Sequence, residues 1–365
     1  MEGGENVETA GRSNKSKKSL KSKAALSSKS KTTKRLWGRG KARGRGGRVA
    51  LPRGPIDDDH KGPVVDLSQD LVLKGRFRLL RKMGSGTFGE VYLGMDESSG
   101  TEVAVKTERA EARPCLRMDQ EVLEAAAKSK DASRRAHLPK LFGAGSESSF
   151  RYLVMERLGA SLSELRKAAP GQRLDEWTSV TLMMQALQAT EDLHVLGFVH
   201  RDLKPTNLLL GMPPAGEKLF VIDFGLSGHW PTKALGNRRS RGGLTSVGFR
   251  GTYKYASVGA HRGEELGPRD DLWNLWYSLL ELLRGELPWK RTPKPHIAAL
   301  KEEMILRPGH LLPPSESLQP EPLLRFHGQL VELGPQTAPD YTLLRRLLHQ
   351  SLTDPNPRPL NLPKL

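Results

Sequence analysis

From Arg76 to Lys106, short runs rich in Val and Tyr alternate with turn residues: Phe77–Met83, Val91–Met95 and, after Glu97-Ser-Ser-Gly100, Val103–Lys106. Such runs predict an antiparallel strand meander. A helical pattern over Leu116–Ala127, followed by strands at Lys140–Phe142 and Arg151–Met155, predicts a small sheet with one helix. Beyond Gly159 the apolar period lengthens to that of helices. Asp175 is placed to cap a helix in which Trp177, Val180, Met184 and Leu187 recur, with Gly197 closing it. Further helices are predicted over Asp271–Leu283, ended by Gly285 and Pro288, and over Tyr341–Leu352 behind a cap at Asp340. A strand-rich part thus precedes a helix-rich part: an α+β fold in two lobes.

Charge divides the chain differently. Of the net +17, residues 1–55 carry 16 Lys or Arg against 3 Glu, while residues 56–365 carry 42 against 38 acids. From Gly11 to Gly47 there is too little apolar surface to offset the entropy of ordering, so residues 1–70 are expected to be a disordered basic tail and a Pro-rich linker. Residues 71–355 form the expected folded domain, with lobes at about 71–157 and 158–355, and 356–365 a short tail. The run Arg39-Gly-Lys-Ala-Arg-Gly-Arg-Gly-Gly-Arg48 suits nucleic acid or another acidic partner, and equally suits a solvated solubility tail.

The one cysteine, Cys115, excludes an intramolecular disulfide, and no Cys or His cluster has zinc spacing. The N-terminus lacks a basic-then-apolar signal region. Leu272–Leu283 is too short for a bilayer and is interrupted by Asn274 and Glu281. A soluble protein of the cytoplasm, the nucleus or both is expected.

Chemistry is suggested first by Gly84, Ser85, Gly86, Thr87, Phe88 and Gly89, lying with Val91 between two predicted strands. Glycines there let backbone N–H groups approach phosphate oxygens. A dinucleotide fingerprint is excluded because a strand, not a helix, follows Gly89. Lys106 ends Val103-Ala104-Val105-Lys106, where an ammonium can hold phosphates, and Asp119 and Glu121 on the next helix are its candidate carboxylate partners. The strongest pattern is His200-Arg201-Asp202-Leu203-Lys204-Pro205-Thr206-Asn207, with Asp223-Phe-Gly225 sixteen residues further on. Phosphoryl transfer needs a carboxylate to orient a hydroxyl, cations on the moving group and hard oxygen ligands for Mg²⁺. Asp202 suits the first role, Lys204 the second, and Asn207 with Asp223 the third. His200 and Arg201 read as structural.

In this order, these motifs resemble the protein-kinase signature set. Lys204-Pro-Thr-Asn207 resembles the serine/threonine form of the loop. In place of the usual Ala-Pro-Glu stands Gly251-Thr-Tyr-Lys-Tyr-Ala-Ser-Val-Gly-Ala-His261, followed by Arg269-Asp-Asp-Leu-Trp273. This resembles the casein kinase 1 superfamily. Gly248-Phe-Arg-Gly-Thr252, His261-Arg262 and Pro339-Asp-Tyr341 are most similar to its tau-tubulin kinase branch, and Asp223-Phe-Gly separates the chain from the vaccinia-related kinases. The resemblance implies MgATP as phosphoryl donor and Ser/Thr protein substrates. It also implies Met155 as gatekeeper, Glu156 to Leu158 as the adenine-holding hinge beside Ala104, and Asp271 as anchor of the catalytic loop. Lys254 stands where these kinases carry an arginine that reads a phosphate already on the substrate, but lacks the arginine's bidentate fork. With Arg238, Arg239 and Arg241 it suggests attraction to acidic or primed substrates, and the same cations equally suit a solvated loop.

The resemblance also places Asp119 where a Glu is usual. Val122 and Leu123 follow it at three and four residues, so packing them inward turns Asp119 to the cleft, while Glu121 faces away. The shorter carboxylate is expected to close on Lys106 with more difficulty. Two other readings compete with an active kinase: a pseudokinase scaffold, and a nucleic-acid-associated protein in which the tail is the main element.

Overall fold

The computed structural model describes residues 71–86, 89–230, 249–335 and 337–365. The expectations for residues 1–70, for Thr87 and Phe88, and for Arg238, Arg239 and Arg241 lie outside them.

Six strands form one antiparallel sheet: β1 (Val72–Leu73), β2 (Phe77–Gly86), β3 (Gly89–Asp96), β4 (Thr101–Arg109), β5 (Leu141–Ser146) and β6 (Phe150–Glu156), in the order β1-β2-β3-β4-β6-β5. Alternation along the strands sorts their side chains. Val103 and Val105 pack with Phe77, Tyr92, Tyr152 and Val154 on one face. Leu153 turns to the other, where helix α1 (Leu116–Lys128) buries Leu116, Val122 and Leu123. The same period of two puts Ala104 and Lys106 on the helix side.

The second lobe is helical: α2 (Leu162–Ala168), α3 (Glu176–Val195), α4 (Val258–His261), α5 (Pro268–Arg284), α6 (Lys294–Leu306), α7 (Pro320–Glu332) and α8 (Tyr341–Gln350). Short pairs β7 (Phe198–Val199) with β10 (Gly228–His229), and β8 (Leu208–Leu210) with β9 (Leu219–Val221), carry the loops between them. The predicted caps are in place: the Asp175 carboxylate accepts from Thr178 N–H at 2.9 Å and that of Asp340 from Leu343 N–H at 2.9 Å. At Gly285 φ is +84°, and a Cβ would stand 3.0 Å from Gln172 O, so glycine ends α5 for both conformation and space.

Several elements differ from expectation. β4 continues to Arg109, and α5 begins three residues earlier, at Pro268, because Pro starts helices well at their first position. Helices α2, α6 and α7 carry no prediction. α2 has a readable signature, the capping box of Ser161 and Glu164, whereas α6 mixes apolar and charged positions without a clean stripe. The final residues also pack. Trp177 Nε1 donates to Arg358 O at 3.1 Å, and Leu360 and Leu362 lie against the core. Among the described residues no helix is long and apolar enough to cross a membrane.

Leu280 on α5 is fully buried. Leu280→Ala should cost about 2–5 kcal/mol, lost transfer energy plus a cavity, and Ser161→Ala about 1 kcal/mol through its cap. Urea unfolding checks both; similar costs for the two would show that α5 is not the centre of the core.

Candidate active site

The cleft between the lobes gathers residues from five elements. β4 delivers Lys106, whose register partner on β3 is Val91 and on β6 is Leu153. α1 delivers Asp119. Lys106 Nζ donates to Asp119 Oδ1 at 3.0 Å and Oδ2 at 2.9 Å, and to Asp223 Oδ1 at 2.8 Å. The short carboxylate therefore closes the pair, contrary to the difficulty expected of it, and it does more: Asp119 Oδ1 also accepts from Phe224 N–H at 2.8 Å. Glu121 points away and pairs with His229 at 3.2 Å.

Burial works against the charge of Lys106, but two carboxylates outweigh it and hold the ammonium protonated. Asp223 is likewise held ionised: burial raises its pKa, and Lys106 more than offsets this. For Asp119 burial wins and pushes the carboxyl up, with the charge of Asp223 adding and Lys106 opposing.

The catalytic loop follows β7. Asp202 is buried, and its carboxylate accepts from Lys204 Nζ at 2.6 Å (Oδ2) and Thr252 Oγ1 at 2.7 Å (Oδ1). Lys204 also reaches Thr252 Oγ1 at 2.9 Å. Thr252 thus completes a triangle with the expected base and cation. Residue reading gave it no role, although it stands in the quoted Gly251-Thr252 motif. His200 is fully buried; it accepts from Asp202 N–H at Nδ1, 3.2 Å, and so donates from Nε2 to Ile222 O at 3.0 Å, which agrees with its structural reading. Arg201 and Asp223 hold φ of +69° and +68°, which costs side-chain-bearing residues about 1–3 kcal/mol each. Asp271 meets part of that cost by accepting from the N–H groups of His200 and Arg201, each at 2.7 Å.

Two hard oxygen donors face the cleft. Asn207 Nδ2 donates to Asp202 O at 3.0 Å, leaving Oδ1 with a 3.4 Å approach from Thr206; Asp223 gives Oδ1 to Lys106 and keeps Oδ2. These donors fit a hard divalent cation such as Mg²⁺, which takes few protein ligands. The β2–β3 hairpin is open at Gly84 and Gly86, where a Cβ would meet nothing within 4 Å. Gly89 serves differently. Its φ is +145°, and a Cβ would lie 1.8 Å from Thr107 O, so only glycine lets the hairpin lie against β4. Ser85 sits in the same hairpin, paired with Glu90. At the back, Met155 pairs with Ala104 and Leu141 across β6, and Leu158 is buried where the chain leaves for the second lobe. Glu156 is held at this crossing by Lys140 N–H at 3.1 Å.

An ammonium between two acids, a buried Asp-Lys-Thr triangle and an Asn-Asp oxygen pair in one cleft is the equipment of a phosphoryl-transfer site. Residues 77–349 match the protein kinase domain. The chain belongs to that family. It is also 31% identical, over 285 residues covering 77% of this chain, to a probable serine/threonine-protein kinase from Dictyostelium discoideum. The alignment spans 54% of that relative's length.

Lys254 departs from its expected freedom. Its Nζ is bonded to the buried carboxylate of Glu281, which also takes the Tyr255 hydroxyl. A phosphate reader at that position would have to compete with an internal acid.

If the site transfers phosphoryl groups, Asp119→Ala should lower kcat/KM about 10- to 100-fold, the worth of a charge-assisted contact to a buried ammonium. Glu121→Ala should change it less than twofold, with circular dichroism unchanged in both. A larger loss from Glu121→Ala would contradict the observed register of α1.

Proposed function

We propose that the chain is an ATP-dependent serine/threonine protein kinase that transfers the γ-phosphoryl group of MgATP to hydroxyls of protein substrates. The observation that carries this is Asp202, buried yet reachable, held on both oxygens by Lys204 and Thr252. A substrate hydroxyl beside Asp202 gives up its proton to the carboxylate as its oxygen forms the new bond to γ-phosphorus. The bond to the bridging oxygen breaks, and that oxygen leaves on ADP. Lys204 sits where negative charge moves, and Lys106 is set to hold the phosphates that do not transfer. Asn207 and Asp223 would hold Mg²⁺, which would supply charge neutralisation for the leaving phosphate. The glycine hairpin would cover the phosphates, and Val91, Ala104, Met155, Glu156 and Leu158 would surround the adenine.

Within the kinases, we assign the chain to the casein kinase 1 superfamily near its tau-tubulin branch, on the Gly251–His261 and Pro339-Asp-Tyr341 motifs. A preference for acidic peptides is supported by Arg250, two residues before Thr252. Burial first, and then the charge of Arg113, lowers the pKa of Arg250, so an acidic residue arriving there would relieve that crowding. Because Glu281 occupies Lys254, primed phosphate is the weaker form of this preference.

Incubation with MgATP and a Ser/Thr peptide library should give phosphopeptides enriched in acidic residues near the acceptor. Lys106→Met should remove most turnover, and Asp202→Asn should lower kcat roughly 10²- to 10⁴-fold with the fold intact. A folded wild-type protein that binds MgATP without transfer would instead support the scaffold reading.

A further inference from the structure

Asp271 is fully buried and takes a third hydrogen bond besides the two from the catalytic loop: His194 Nε2, on α3, lies 2.8 Å from its Oδ2. Burial opposes the charge of Asp271, but the hydrogen bonds from His194 and from the His200 amide hold the carboxyl below its ordinary value. An ionised carboxylate can only accept, so the His194 proton must sit on Nε2. With that proton on Nε2, the group that meets Nδ1 is the hydroxyl of Tyr341 at the start of α8, placed to donate to it. That phenol keeps its proton to donate, because burial raises its pKa and the charges of Asp271 and Glu191 add to the rise.

We infer that Tyr341 is a positioning residue of the catalytic loop: its hydroxyl fixes the tautomer and ring plane of His194, which completes the donor set of Asp271 and so holds His200 to Asp202. Which nitrogen of a histidine carries the proton is set by the hydrogen bond that the other nitrogen makes. Without the hydroxyl, a proton on Nδ1 becomes equally acceptable, and Nε2 then faces Asp271 as a second acceptor. The loop has little tolerance for this, since Arg201 sits at positive φ and is kept there by the other Asp271 oxygen. Helix docking does not require the hydroxyl. Leu344, Leu347 and Leu348 bury the face of α8, and Arg345 pairs with Glu191 of α3.

The inference rests on the kinase reading for the word catalytic, but its test does not need turnover. In the full chain, Tyr341→Phe should speed hydrogen exchange at the His200 and Arg201 amides about tenfold, the worth of roughly one net hydrogen bond. Amides within α3 and α8 should exchange at wild-type rates. The kcat should fall about five- to tenfold, with KM for MgATP and for peptide within twofold, and on a His194→Gln background the same change should add nothing. Arg345→Ala, which removes only the docking ion pair, should leave loop exchange and kcat unaltered. Wild-type exchange at His200 and Arg201 in Tyr341→Phe would overturn the inference, as would acceleration spread evenly over α3 and α8, or faster loop exchange with unchanged kcat in an active enzyme. A wild-type protein without transfer activity would count against the kinase reading, while the exchange pattern would still decide the role of Tyr341.

Discussion

One buried ammonium joins the parts of this site. Lys106 brings a charge into a place almost closed to water, and an unpaired ion there costs several kcal/mol, a large share of the stability of any domain. Only the joint presence of Asp119 and Asp223 removes that cost. The first comes from a helix 13 residues away and the second from a loop 117 residues away, so sheet, α1 and the Asp223 loop are placed by a single electrostatic requirement. The Asp119 contact to Phe224 N–H adds a direct link from helix to loop. A shorter acid therefore suffices here, with both of its oxygens on Lys106 and one also on the Phe224 amide.

How much of this was legible depends on the range of the interaction. The strand period of two, the caps at Asp175 and Asp340, and the inward face of Val122 and Leu123 are local, and each was readable. The facing directions of Asp119 and Glu121 followed from helix geometry alone. What was not legible joins distant segments: Thr252 to Asp202 across 50 residues, Tyr341 to His194 across 147. No spacing rule spans such distances. α2 is a different case, since its Ser161 and Glu164 capping box is local and readable in the sequence.

Lys254 shows a second limit. A lysine near a substrate groove reads as available positive charge, and a tally of basic residues counts it so. Its partner Glu281 lies 27 residues further on, inside a run that otherwise reads as apolar. The free charge of this segment thus depends on pairings that composition does not reveal.

Asn274 and Glu281, which in sequence only interrupt an apolar stretch, prove to organise it. At about 100° per residue, Asp270, Asn274 and Glu281 lie within roughly 40° of one another on α5. Asp270 takes Ser257 Oγ at 2.5 Å, Asn274 donates to Tyr255 O at 2.7 Å, and Glu281 holds Lys254 and Tyr255. One polar stripe on a buried helix thus grips residues 254–257, directly after the Thr252 that touches Asp202. Asp271, about 100° round the same helix, grips the loop that carries Asp202 itself. Because both grips come from adjacent faces of one rigid element, residues 254–257 and the Asp202 carboxylate share a single frame. A side chain on α5 that packs poorly would misplace both together, so α5 sets the accuracy of the site as well as the stability of the lobe.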